Sequence, residues 1–282
     1  MRSNTRTYEQ HLHQQRQQPA THKNLMRKAV AELRKQGFTK LTNLLDSESV
    51  VQLRQMRAEC ESRCNSLLEK KGLSMESICV KYKNTYRDVQ YRDGRTDLRD
   101  DNLLARIVSN DNAGSGAHVL ASIGEEYLYL GGPVTAVVAG YITAMAECQD
   151  QRWHVDPFNI SNHPSSLNVF IALGDVTEKN GPTELCMMSQ EEMAGANNPA
   201  AEGSNLSQFV KVCEANGKTK KVTLNSGEVL IFDTRCLHRG AANTTSKERP
   251  MAYTVVLKTQ NQDTQVQLDG YITRGKPLGD KD

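Results

Sequence analysis

No apolar run in this chain of 282 residues approaches the roughly 20 residues needed to cross a bilayer, so the sequence predicts no membrane partner. Neither sign of charge is in excess. The 35 Lys and Arg against 33 Asp and Glu leave a net charge of +2, too weak a field to argue for nucleic acid or an anionic surface. The seven cysteines (Cys60, Cys64, Cys79, Cys148, Cys186, Cys213 and Cys236) contain no CxxC pair, are odd in number and follow no signal-peptide pattern. That usage predicts a reducing compartment, taken as the cytoplasm. The C-terminus carries no Ser-Lys-Leu-type address, while the basic, acid-poor N-terminus leaves an organelle transit peptide open. What these absences leave is a small-molecule partner and a chain acting as a monomer or homodimer.

With 38% apolar residues, the chain is long enough to bury one large core. Residues 1–22 are Gln-, His- and Arg-rich and read as a mobile polar arm. Residues 23–282 read as a single domain: helical support and lid over 23–130, a β-rich core over 131–260 and a C-terminal tail over 261–282. Leu25, Met26, Ala29, Val30 and Leu33 follow a helical period that Gly37 ends. Phe38 to Leu45 reads as a short extended segment. Asp46 or Ser47 then caps a helix through Val50, Leu53 and Met56 towards Cys64 and Leu68. Cys60 and Cys64, one turn apart, read as small residues on its buried face. Lys81 to Asp101, dense in Tyr and Arg, reads as an irregular loop in which Arg92, Arg95 and Arg99 either face solvent or hold an anionic substrate group. Leu103 to Val108 and Ala117 to Tyr129 read as short helices.

After Gly131-Gly132-Pro133 the texture changes. Val134–Met145, Leu167–Leu173, Thr183–Met187, Lys220–Leu224, Glu228–Phe232 and Met251–Lys258 are β-branched or apolar runs. Turn chemistry such as Asn180-Gly181-Pro182 and Asn225-Ser226-Gly227 separates them. The fold class expected is mainly β with flanking helices, a jelly roll preceded by an N-terminal helical region.

Within that region lies Gln151-Arg152-Trp153-His154-Val155-Asp156, followed far downstream by His238-Arg239-Gly240 and, eleven residues after His238, Arg249. In a strand, residues two apart share a face, so His154 and Asp156 can aim at one point while His238 arrives from another strand. Two imidazoles and a carboxylate on one face of a metal leave the opposite face open, the arrangement of mononuclear iron sites. A His-x-Asp triplet alone is expected about once by chance in such a composition, so its context carries the assignment. The remaining histidines are not ligand candidates: His11, His13 and His22 fall in the arm, His118 in a helix and His163 before a proline. Arg235 and Arg239 read as surface charges flanking the strand end at His238.

The set Gly37-Phe38 with Leu44-Leu45-Asp46, Gln151-x-Trp153-His154-x-Asp156, Asp175-Val176-Thr177-Glu178-Lys179-Asn180-Gly181-Pro182, and Gly227-Glu228-Val229-Leu230-Ile231-Phe232 with His238 and Arg249 resembles the phytanoyl-CoA dioxygenase family, from about Ala29 to Lys258. The resemblance implies a double-stranded β-helix of the cupin-like kind, Fe(II), and 2-oxoglutarate and O2 as cosubstrates. Under it His154, Asp156 and His238 are the metal ligands, and Arg249 holds the far carboxylate of 2-oxoglutarate through a two-pronged guanidinium contact. Tyr141, Thr143, Gln151 and Phe170 become candidates for the cosubstrate pocket. Arg249 and His238 lie on runs joined by one turn-rich loop, so an antiparallel hairpin is expected to place them together. In halogenating relatives a small residue replaces the carboxylate ligand; Asp156 occupies that position here.

Two departures stand out. Gly240 replaces a serine that many relatives use on the cosubstrate, so Thr143 or Tyr141 is expected to supply the hydroxyl. Met187-Met188-Ser189-Gln190 replaces a Pro-Gly-Ser-His turn and bears on substrate choice. The function expected is hydroxylation of a small polar or anionic metabolite, or its desaturation or cyclisation by the same C–H abstraction, with release of succinate and CO2. The alternatives are an acyl-CoA hydroxylase of the same family, a cupin-like metal-dependent hydrolase or isomerase, and a catalytically silent binding protein.

Overall fold

The structure, a computed structural model, describes residues 22–81, 89–92, 94–103, 116–128, 134–156, 164–192 and 206–258. The arm before residue 22, the tail after residue 258, His163 and the segment expected as a helix over 104–108 lie outside the described residues. The first helix, α1 (residues 22–36), stops at Gly37, whose φ of 85° suits glycine and whose amide reaches back to the Leu33 carbonyl at 2.8 Å. A side chain there would also collide with Cys236 and Gln190, so this glycine serves both a turn and a close approach.

Asp46 caps α2 (Ser47–Lys70) by accepting from the Ser49 amide at 2.7 Å. The helix buries Val50, Leu53, Cys60, Cys64 and Leu68 on one face, so Cys60 and Cys64 are packing residues, both as free thiols. Then come α3 (Met75–Lys81) and, after a hairpin described below, α4 (Gly116–Tyr127).

Among the described residues, ten strands form two antiparallel sheets. The major sheet has the order β1-β8-β5-β10-β4-β3-β2, from β1 (Phe38–Leu41), β8 (Val229–Asp233), β5 (Ser166–Ala172), β10 (Arg249–Lys258), β4 (Val134–Ala144), β3 (Arg95–Arg99) and β2 (Val89–Arg92). The minor sheet has the order β7-β6-β9, from β7 (Thr219–Val222), β6 (Thr183–Cys186) and β9 (His238–Gly240). Around the minor sheet lie the single turn α5 (Ser189–Glu192) and α6 (Leu206–Ala215). This is a double-stranded β-helix with flanking helices, the expected fold class.

The N-terminal third does more than support it. Segments read as extended or irregular supply β1, β2 and β3, three of the seven strands of the major sheet. Arg95–Arg99 pairs directly with β4, placing Arg95 opposite Ala144 and Asp97 opposite Ile142.

Strand alternation divides the major sheet into two faces. Leu98, Tyr141, Leu167, Val169, Ile171, Val229, Ile231 and Ala252 join the helices in the largest apolar core. Each such aliphatic side chain contributes about 1.5–3 kcal/mol by leaving water. Residues one step along face the minor sheet. At one end Leu230 and Phe232 meet Leu185, Val222, Leu224 and Cys236 and plug the barrel. At the other end the sheets part around a cavity.

Candidate metal centre

His154 and His238 form an isolated antiparallel bridge in which each amide donates to the other's carbonyl at 2.9 Å. The bridge extends the minor sheet beyond β9 and forces the two side chains onto one side, with ring centroids 4.4 Å apart. Asp156, two residues on, returns to the same face, while Trp153 and Val155 pack outward against Val210, Cys213 and Leu237. The donor atoms of His154, Asp156 and His238 all lie within 4.8 Å of one another.

Neighbouring groups orient all three side chains. Nδ1 of His154 lies 2.8 Å from the Arg152 carbonyl, and Nδ1 of His238 lies 2.9 Å from the Cys236 carbonyl. If each Nδ1–H donates to its carbonyl, both Nε2 lone pairs are left for a cation. Asp156 accepts from Asn168 Nδ2 at 2.5 Å, which aims the carboxylate. Burial first, and His154 second, pull the His238 imidazole down to about 4 despite the raising effect of Asp156. The ring is therefore neutral at physiological pH, the form a metal requires. Among the described residues no fourth His, Cys, Asp or Glu joins the cluster, so the set suits Fe(II) with open positions rather than a closed structural zinc site.

The triad opens into a cavity of about 240 Å³, lined also by Arg95, Asp97, Gln151, Phe170, Thr183, Gly240 and Arg249. Arg249 is 5% exposed. Its Nε donates to the Asn180 carbonyl at 3.4 Å and its Nη2 to the Gly181 carbonyl, but its buried Nη1 has no hydrogen-bond partner. Burial first, then Arg95, push this guanidinium down to about 9, so it keeps its charge at neutral pH while short of a counter-ion. A buried donor without a partner costs about 1–3 kcal/mol, which an incoming carboxylate would relieve.

A sequence profile of the family described as phytanoyl-CoA dioxygenase (PhyH) matches residues 33–251, spanning the triad and the strands from β1 to the start of β10. The chain belongs to the phytanoyl-CoA dioxygenase family. It is thus a 2-oxoglutarate-dependent dioxygenase, whose class uses iron, 2-oxoglutarate and O2. Among proteins of curated function, no sequence matches it. Solved structures share the fold at low identity. The non-heme alpha ketoglutarate dependent carbocyclase SnoK from nogalamycin biosynthesis is 18% identical, with a TM-score of 0.58, over 92% of this chain and 96% of its own. EctD from S. alaskensis with bound Fe is 15% identical, with a TM-score of 0.58, over 90% and 80%. The epimerase SnoN, in complex with Fe3+, alpha ketoglutarate and nogalamycin RO, is 14% identical, with a TM-score of 0.57, over 85% and 84%.

The structure brings most of the expected residues together, with corrections. Gln151 lines the cavity and accepts from the Gly240 amide at 2.9 Å. Phe170 lines it too, edge-on to Phe232 at 5.2 Å. Tyr141 and Thr143 do not line it: the intervening Ile142 does, and Tyr141 belongs to the helix-side core. Thr183, opposite Gly240 in the register, and Tyr253 bring hydroxyls to the lining instead. Of the three arginines expected to meet an anion, Arg95 lines the cavity. Arg99, on the same strand face, does not line it but lies 3.6 Å from Asp97 and over the Tyr253 ring. Arg92 ends β2, but its side chain lies outside the described residues.

His238 and Arg249 are not on paired strands. One lies in each sheet, and they meet because the sheets face each other. Arg235 and Arg239 are not free surface charges. Arg235 is buried in an ion pair with Asp233 at 2.7 Å, and Arg239 is held by Glu184 at 2.8 Å and lies over the Trp153 ring. The sequence reading missed Asn168, whose signal is its place between the apolar Leu167 and Val169 in a strand.

Proposed function

We propose that this protein hydroxylates a small, polar or anionic metabolite, or desaturates or cyclises it through the same C–H abstraction, releasing succinate and CO2. The observation that carries the reading is the open-faced triad sharing one polar cavity with the unpartnered Nη1 of Arg249. A hydrolase using the same triad has no use for such a group. When bound, iron with 2-oxoglutarate and O2 supplies an oxidant able to take hydrogen from an unactivated carbon.

The chain's own residues do the rest. His154, Asp156 and His238 hold the metal from the minor-sheet side, Asn168 keeps the carboxylate turned inward, and Arg249 takes the far carboxylate of the cosubstrate. Phe170, Met251 and Val255 form a dry wall. An anionic substrate is supported by Arg152, which lines the cavity and has not been assigned to the metal or the cosubstrate. Arg152 is exposed, and so available to a substrate at the mouth. SnoK, SnoN and EctD are similar in fold, and nogalamycin biosynthesis, the setting of SnoK, supports a specialised metabolite.

Anaerobic Fe(II) with 2-oxoglutarate should give the weak visible charge-transfer band of a chelated keto acid, and His154→Ala should lose it. No band from wild-type protein loaded with iron would overturn this reading.

A further inference from the structure

Two polar groups on opposite sheets line the cavity without belonging to the metal triad or to the Arg249 clamp. The first is Asp97, 5% exposed, on β3 in the major sheet. In the register it shares a row with Ile142 and Met251, one row and about 7 Å along the barrel from the row that carries Arg249. Its orientation is fixed. Tyr253, on β10, donates its hydroxyl to Asp97 Oδ1 at 2.7 Å, and Arg99 Nη2 lies 3.6 Å from Oδ2. A side chain of β10 reaches β3 across β4 because Gly140 is the β4 partner of both Tyr253 and Arg99 and places no side chain between them. The Arg99 guanidinium then lies over the Tyr253 ring, 5.9 Å from its centroid. A carboxylate has about four acceptor sites, of which the phenol takes one.

The second group is Arg152, on the segment that runs beside β9. There the Gln151 amide donates to the Gly240 carbonyl at 2.9 Å and His154 bridges to His238. Arg152 precedes His154 by two residues as Asp156 follows it by two. Its side chain is exposed at the cavity mouth. Among the described residues its guanidinium makes no hydrogen bond or ion pair, whereas that of Arg239 is held by Glu184 at 2.8 Å.

Resting on the dioxygenase reading above, we propose that the substrate is an amino or hydroxy acid with its two polar groups at opposite ends. Arg152 takes the anionic group at the mouth, and Asp97 accepts from the hydroxyl or ammonium inside. Tyr253 and Arg99 are positioning residues that act through Asp97. Holding a small molecule at both ends fixes which carbon lies before the triad, whereas one contact would let it slide.

The test is calorimetric titration of the anaerobic protein loaded with Fe(II) and 2-oxoglutarate. The probes are ω-amino and ω-hydroxy acids of about four to six carbons, with the alkanoates that lack the donor and the alkylamines and alkanols that lack the anion. At the best chain length a two-ended probe should bind roughly tenfold or more tighter than either one-ended relative. The amino and hydroxy series separate an ammonium from a hydroxyl as the group that Asp97 receives. Asp97→Ala should erase the advantage over the alkanoate, and Arg152→Gln the advantage over the alkylamine or alkanol, each leaving the other advantage within about twofold. Tyr253→Phe keeps the ring and removes the hydroxyl that orients Asp97. It should give a partial form of the same selective loss, covering the case in which Asp97→Ala does not fold. Equal weakening of every probe by Asp97→Ala would show that Asp97 only braces the hairpin and would overturn the proposal. So would the absence of any two-ended advantage, or of any binding, in wild-type protein that gives the charge-transfer band. A missing band would instead overturn the underlying dioxygenase reading, and this proposal with it.

Discussion

The two faces of the major sheet are both buried, yet chemically unlike. Towards the helices, β3, β4, β5 and β10 present Leu98, Tyr141, Leu167, Val169 and Ala252; one residue along the same strands they present Arg95, Asp97, Ile142, Asn168 and Arg249. Apolar burial on the first face stabilises the fold, whereas burying charge on the second costs stability unless partners are supplied. The inner face supplies them unevenly. Arg235, near the plugged end, has a complete ion pair with Asp233, while Arg249 at the cavity keeps a bare nitrogen. That nitrogen faces the cavity, where an incoming carboxylate would complete it.

Breaking the helix-side face should have the largest effect. Leu98→Ala should lower unfolding free energy by about 2–5 kcal/mol in denaturant titration while leaving iron affinity per folded molecule unchanged. A change in iron affinity would show that the two faces are not independent. On the cavity face, Arg249→Lys should do the reverse: near-native stability, with 2-oxoglutarate affinity down roughly ten- to a hundredfold in the charge-transfer titration, because an ammonium cannot form the planar fork. Unchanged affinity would remove Arg249 from the clamp.

Asn168→Ala should weaken Fe(II) by about 10–100-fold in a competition titration, since a ligating carboxylate loses its orienting donor. The smallest effect is at the plugged end. Tyr127 donates to Asp233 at 2.8 Å, and burial first, then the Asp233 charge, push its phenol well above the usual range. Because the unfolded phenol loses its proton near pH 10 and the folded one does not, stability falls as pH rises beyond about 10. Tyr127→Phe should cost about 1 kcal/mol at neutral pH and flatten that alkaline decline in thermal melts.

The strands of the core were legible wherever alternation ran apolar towards a core. The runs at Val134, Leu167 and Met251 match β4, β5 and β10 to within two residues at either end. The hairpin β2 to β3 was not, because Arg95 and Asp97 face a polar cavity and so invert the usual sign of the pattern. In β3 itself, Leu98 is the one large apolar residue. Tyr141 and Thr143 failed as pocket residues for the same reason: a shift of one along β4 exchanges cavity for core.

His154, Asp156, His238 and Arg249 were readable as a set because ligand chemistry restricts residue type and the family's order restricts spacing. Sequence by itself therefore determined the family and the jelly roll, and singled out the candidate metal ligands. Only the tertiary structure decided which sheet carries each candidate ligand, that Asn168 and Thr183 line the same cavity, and that Arg95 fills the space at Gly240. Those facts depend on residues far apart in the chain, brought together by cross-strand register and the facing of two sheets, which no local pattern encodes.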